Sequence, residues 1–165
     1  MKHVKPPSLI PSGRSDFKIF LAGSIEQGKA DHWQERIAQS FCNLESNFVV
    51  FNPRRDNWDA DLEQSTNNSE FVTQVTWEIN HIELADLVIF FFDPKTTAPI
   101  TLFELGVCAQ KFRWSPYPPI VYCPEGYFRK GNVDIYCEIY GMKQVQNEND
   151  LITEIHNSYK FHEKN

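Results

Sequence analysis

Two glutamates carry the chemistry this sequence offers. Glu104 stands in ITLFELGVCAQKF, which reads as a helix. It follows an unbroken apolar run, Leu87 to Phe92, and a Pro-containing loop, Asp93 to Pro99. Placed in the first turn or so of that helix, Glu104 meets unpaired backbone N–H groups and the dipole's positive end, which favour its ionised form. Glu78 flanks the apolar stripe of the preceding helical segment, where partial burial raises a carboxyl pKa. An ionised carboxylate beside a protonated one suits cleavage of a glycosidic bond with retention, as nucleophile and acid respectively. Either residue alone is a weak signal, because a Glu early in a helix commonly compensates the dipole and a helix-flank Glu is usually solvated.

The other motifs are weaker still. GSIEQGKA, Gly23 to Ala30, nearly matches the phosphate loop GxxxxGK[ST], but Ala30 has no hydroxyl for magnesium and Glu26 would place negative charge in the anion cradle. The plainer reading is a glycine turn that lets the backbone approach a ligand. Arg54 and Arg55 are anion-binding candidates that are equally able to pair with Asp56 and Asp59, and Trp58 is an aromatic able to stack on a base or to pack its loop. The four cysteines, Cys42, Cys108, Cys123 and Cys137, form no CxxC pair and read as free thiols in a reducing cytoplasm. The five histidines are scattered, so no metal site is expected.

Length and composition bound the rest. The 165 residues, 41% hydrophobic and 14% aromatic, suit one folded domain. Residues 1–16, with Pro6, Pro7 and Pro11, read as a flexible lead-in, and 17–165 as the domain. The net charge of −6 argues against a nucleic-acid polymer as partner, though not against a single nucleotide. No apolar run approaches the ~18–20 residues of a membrane span.

Strands are expected at Phe17–Ala22, Asn47–Asn52, Leu87–Phe92, Pro119–Cys123 and, weakly, Lys143–Val145. Helices are expected up to about Cys42, over Glu70–Leu84, after Pro99, over Asn132–Tyr140 with Gly141 as its stop, and over Asp150–Tyr159. The first carries Trp33, Ile37 and Phe41 as one stripe, the second Phe71, Val75, Ile79 and Ile82. Alternating strands and helices predict an α/β fold, a flavodoxin-like three-layer sandwich with a five-stranded parallel sheet in the order 2-1-3-4-5. The apolar third strand takes the centre.

Five blocks in order carry a family resemblance: LAGSIEQGKADHW, FNPRRDNWD, QVTWEINHIELADLVIFFF, PITLFELG and PEGYFRKGNVDIYCEIYG. Together they resemble the nucleoside 2-deoxyribosyltransferases, which share a fold with the deoxynucleoside monophosphate N-glycosidases. The resemblance implies that Glu104 is the nucleophile that forms a deoxyribosyl ester. It implies that Glu78, eight residues before Asp86, assists protonation of the departing base. Gly23, Ser24 and Ile25 match the loop lining the base pocket. Asn132 matches an Asn that reaches the sugar 5′ end in a neighbouring subunit's site, so a homodimer or higher homo-oligomer is implied. Six residues before Glu104, where relatives carry Asp or a phosphate-binding Ser, this chain has Ala98. Thr96 or Thr97 is then left to hold the 5′ end, and Arg54 and Arg55 keep a monophosphate substrate open. The expected ligands are small-molecule nucleosides and nucleobases, with no cofactor. Base exchange, hydrolysis by an N-glycosidase and a non-catalytic nucleotide-binding module are the three competing readings.

Overall fold

A computed structural model describes residues 1–8, 16–25, 30–44, 47–56 and 62–165. In chain order the elements are β1 (Lys2–Val4), β2 (Phe17–Gly23), α1 (Trp33–Ser40), β3 (Phe48–Phe51), α2 (Ser69–Leu84) and β4 (Leu87–Phe91). They continue with α3 (Pro99–Lys111), β5 (Ile120–Tyr122), α4 (Lys130–Tyr140), β6 (Lys143–Val145) and α5 (Glu148–Glu163). All strand pairs are parallel, and the sheet order is β1-β3-β2-β4-β5-β6.

The sheet therefore has six strands where five were expected. The five expected strands keep their predicted neighbours, and β1 adds itself outside β3 in the register Lys2↔Val49 to Val4↔Phe51. Three residues with two lysine-type or imidazole side chains carry too little apolar pattern to be read as a strand alone. What holds β1 is tertiary: Val4 is buried, Asn52 N–H donates to Val4 O at 2.9 Å, and Lys2 pairs with Asp16.

Strand alternation divides the core into two layers. Leu87, Ile89 and Phe91 of β4 face one way with Ile19 and Leu21 of β2, and are covered by Trp33, Ile37 and Phe41 and by Leu151, Ile155 and Tyr159 of α5. Val88, Phe90 and Phe92 face the other way, under Trp77 and Ile82 of α2, Leu105 and Cys108 of α3, and Val133 and Cys137 of α4. This is a flavodoxin-like arrangement, with α1 and α5 on one face and α2, α3 and α4 on the other. Helix α4 stops at Gly141, whose φ of 68° is the left-handed conformation that glycine adopts without steric cost.

The stripe expected for α2 is corrected. Its buried residues are Gln74, Trp77, His81 and Ile82, whereas Ile79 is 56% exposed. The large indole of Trp77 takes the inward face, stacking on His81 at 3.7 Å and donating Nε1–H to Ser8 O at 2.8 Å. Rotating the helix to satisfy Trp77 turns Ile79 outward, since the two residues lie about 200° apart around the axis.

Candidate active site

Glu104 is the sixth residue of α3, not a member of its first turn. The benefit of the dipole fades beyond the first turn. The expected electrostatic reason for an ionised Glu104 is therefore absent. Burial instead pushes its pKa up to about 8, with the negative charge of Glu78 adding to the shift. Glu78 is raised as well, chiefly by burial. Two carboxyls that repel each other in a desolvated site resist being ionised together. The Gln74 hydrogen bond and the Arg55 charge both favour ionised Glu78. Among the described residues no comparable donor or cation acts on Glu104, so of the two it is Glu104 whose protonated form is favoured.

The start of α3 is held by backbone geometry rather than by a capping side chain. Ala98 is the N-cap, with φ 41° and ψ 54°, and makes no side-chain cap bond. A left-handed conformation costs a residue with a Cβ roughly 1 kcal/mol. Its neighbours sustain it. Tyr127, 3% exposed, donates its hydroxyl to Thr97 O at 2.8 Å. Thr96 Oγ1 donates to Ser24 Oγ at 2.6 Å, and Asp93 N–H donates to the same Ser24 oxygen at 3.0 Å. Removing the phenol in Tyr127→Phe leaves the Thr97 carbonyl without this partner, and is expected to lower stability by about 1–2 kcal/mol, read from urea unfolding.

Glu78 is the tenth residue of α2, so it sits well inside the helix. Gln74, one turn earlier, donates Nε2–H to Glu78 Oε1 at 2.7 Å and to Pro53 O at 2.9 Å. Arg55 ion-pairs with Glu70, and its positive charge also acts on Glu78. The segment after β3 is thereby tied to the acid.

Several expected pocket residues do other work. Ser24 is fully buried and clamps the ends of β2 and β4. Gly23 sits where β2 and Trp33 crowd Phe91. Ile25 is half-buried and accepts from Ala30 N–H at 3.2 Å. The Arg54 guanidinium turns inward, donating to Ala30 O at 2.9 Å and Asp31 O at 2.8 Å. These carbonyls capture it because burial makes an unpaired guanidinium costly. Asp56 pairs with Lys5 at 2.7 Å and is exposed. Thr97 is exposed, and Asn132 lies in the cleft between α3 and α4 beside Leu102 and Leu105. Trp58 and the loop residues Glu26 to Gly28 lie outside the described residues.

Two residues of the site were not singled out from sequence. Gln74 had a legible sign: it is an amide one turn before Glu78 on the face where an amphipathic helix carries apolar side chains. Tyr127 had none, because its partner is a backbone carbonyl 30 residues away.

Among the described residues, no group of three or more His, Cys, Asp or Glu side chains is arranged to hold a metal. No described helix is long and apolar enough to cross a membrane. The four cysteines are free, Cys42 exposed and the other three buried.

What remains is a pair of mutually repelling carboxyls, on the helices before and after the central strand, in an α/β sandwich. Curated proteins give no match to the chain. A family described as nucleoside 2-deoxyribosyltransferase-like matches residues 16–127, from the start of β2 to Tyr127, and so includes both glutamates. The match covers more than half of the sequence, and the chain belongs to the nucleoside 2-deoxyribosyltransferase-like family.

Proposed function

We propose that the protein exchanges the base of a 2-deoxynucleoside through a covalent deoxyribosyl ester on Glu104. The Glu104–Glu78 pair, with both carboxyls raised above the ordinary range by burial, carries this reading. A Glu104 carboxylate oxygen attacks the anomeric carbon, the C–N bond breaks, and the departing base nitrogen takes a proton from the Glu78 side. A second base nitrogen then attacks the anomeric carbon of the ester, the C–O bond to Glu104 breaks, the carboxylate is released and the base returns its proton to the Glu78 side. Charge and proton count are restored after each cycle, so no metal or redox group is required by the chemistry. The surroundings of the two glutamates favour the proton on Glu104, the reverse of the reactive arrangement. Productive binding must therefore carry it across to Glu78 or to the base, which couples nucleophile activation to occupancy.

Incubation of the protein with a 2-deoxynucleoside and a second free base tests the reading. A new deoxynucleoside is expected, together with an intact-mass adduct of one deoxyribosyl unit that maps to Glu104. Free deoxyribose without a new nucleoside would assign the protein to the N-glycosidases. No turnover and no adduct would leave the non-catalytic module.

We also propose that the working form is a homo-oligomer. Of the twelve large hydrophobic residues exposed among the described residues, eleven lie on α2, α3, α4 or their flanking loops. Phe103 at 73% and Ile100 at 63% exposure flank Glu104 on α3, and Ile139 at 61% stands on α4. Apolar surface concentrated on the layer that carries the site is what a second copy would bury. Asn132, on the same layer, then has a neighbouring site to enter. A dimer or larger species is expected by light scattering at micromolar concentration. The double variant Phe103→Glu, Ile139→Glu is expected to be monomeric and at least about tenfold less active, since charges on a buried apolar interface are strongly unfavourable. A wild-type monomer would remove this part of the proposal.

A further inference from the structure

The residue that stands out beyond the carboxylate pair is Gln74. It is 4% exposed, yet it is a polar side chain on the inward face of α2. Its amide orientation is fixed by chemistry: Pro53 O can only accept, so Nε2 must face it, and the second amide hydrogen then points at Glu78. Both amide hydrogens are committed, whereas the buried Oε1 meets no donor among the described residues. An unpaired buried acceptor is unfavourable, and an apolar side chain of similar size would avoid it. Gln74 is thus poorly suited to stability alone and well suited to grip one particular carboxylate.

We propose that Gln74 is a positioning residue of the carboxylate pair, tethering Glu78 to the Pro53 backbone and donating to its ionised form. The inference rests on the deoxyribosyl-transfer reading for its catalytic meaning, but not for its electrostatics. The groups facing Glu78 are Glu104 on α3, Arg55 on the segment after β3 and Gln74 on its own helix. Arg55 is already engaged by Glu70, and the Cys108 thiol acts on Glu104 only as a neutral neighbour, with its pKa pushed up to about 12. Of these, Gln74 alone donates a hydrogen bond to Glu78 among the described residues. A donor to the ionised form stabilises that form. Glu78 consequently gives up its proton more readily than burial alone would allow. Tethering also ties this preference to the loop carrying Arg54 and Arg55, so a ligand that moves the loop moves the proton.

The test is Gln74→Met, with Gln74→Leu as a second variant should the first fail to fold. Carboxyl carbon NMR on glutamate-labelled protein follows Glu78, its resonance identified by its loss in Glu78→Gln. In Gln74→Met the Glu78 titration midpoint is expected to move to higher pH, with Tm within a few degrees of wild type. The acid limb of kcat/KM is expected to move to higher pH with it, by about one pH unit, the worth of one charge-assisted hydrogen bond. An unmoved Glu78 midpoint would overturn the proposal, whatever happened to activity or Tm, because Gln74 would then only pack the Pro53 segment. A moved midpoint in a protein that never transfers deoxyribose would uphold Gln74's role and sink the transferase reading instead.

Discussion

Glu104→Gln is expected to abolish base exchange, with kcat/KM falling by about 10³-fold or more and the deoxyribosyl adduct disappearing from the intact-mass spectrum. Gln keeps the shape of the side chain and removes the nucleophilic oxygen, and loss of a covalent nucleophile is among the largest single-residue effects known for enzymes. The same variant is expected to be more stable than wild type at neutral pH. The native Glu104 pKa is raised to about 8 from the ordinary 4.5. Below 4.5 both folded and unfolded chains hold the proton, and the group contributes no pH-dependent cost. As pH rises past 4.5 the unfolded chain releases its proton while the native chain retains it, so stability falls until pH passes about 8. At neutral pH the cost is roughly 2–3 kcal/mol, and its removal in Glu104→Gln is expected to raise Tm by about 4–8 °C. Thermal melts at pH 4 and pH 8 check the sign, because the difference between variant and wild type should be small at the lower pH and large at the upper. For wild-type turnover, the alkaline limb of kcat/KM is expected near pH 8, where the pair loses its last proton and no acid remains for the departing base.

Gly23→Ala is expected to be the most damaging conservative change to the fold. An alanine Cβ at this position would lie 2.5 Å from Phe91 O and 2.5 Å from the Trp33 ring. Neither neighbour can retreat. Phe91 is in the central strand β4, whose backbone is paired on both sides. Trp33 is fully buried, stacks on the Phe91 ring at 4.6 Å with a 6° interplanar angle, and donates Nε1–H to Ser24 O at 3.0 Å. Overpacking of this kind costs about 1–3 kcal/mol, and breaking the indole bond adds about 1 kcal/mol more. A fall of about 6–12 °C in Tm, with loss of near-ultraviolet signal from Trp33, is the expected readout. The harm should spread to activity, because Ser24 follows directly and clamps Asp93 and Thr96, the loop that leads into α3 and Glu104. An unchanged Tm would mean that β2 and β4 separate more easily than their packing implies.

The elements were legible where side-chain pattern alone decides structure. Leu87–Phe91 is apolar without interruption, and only a strand covered on both faces uses such a run. Alternation of strands and helices was enough for the parallel sandwich and the neighbours of its five central strands. What pattern could not convey was the rotation of α2. Ile79 and Val75 make a plausible stripe, but one Trp and its stacking partner His81 outweigh them. Nor could it reveal β1, which is held by pairing to β3, by Asn52 and by Asp16 rather than by its own residues.

For the proposed site, the pairing of Glu78 with Glu104 was legible as a candidate, because both flank the central strand within the ordered blocks that carry the family resemblance. Their protonation was not readable. Local sequence placed Glu104 near a helix start and implied an ionised nucleophile, whereas the structure sets it one turn deeper, half-buried and near a like charge. A pKa depends on the three-dimensional surroundings of a group, and two residues 26 positions apart acquire their repulsion only when α2 and α3 pack on the same face of the sheet. Arg54 makes the same point. By residue type it was a candidate anion ligand, and the fold engages its guanidinium with the Ala30 and Asp31 carbonyls. The sequence by itself determined which side chains are present to react and which segments become strands and helices, since both follow from residue type and short-range spacing. The tertiary structure alone decided which of them meet, which are consumed in holding the chain together, and where the proton rests, since those depend on distances that spacing along a chain does not encode.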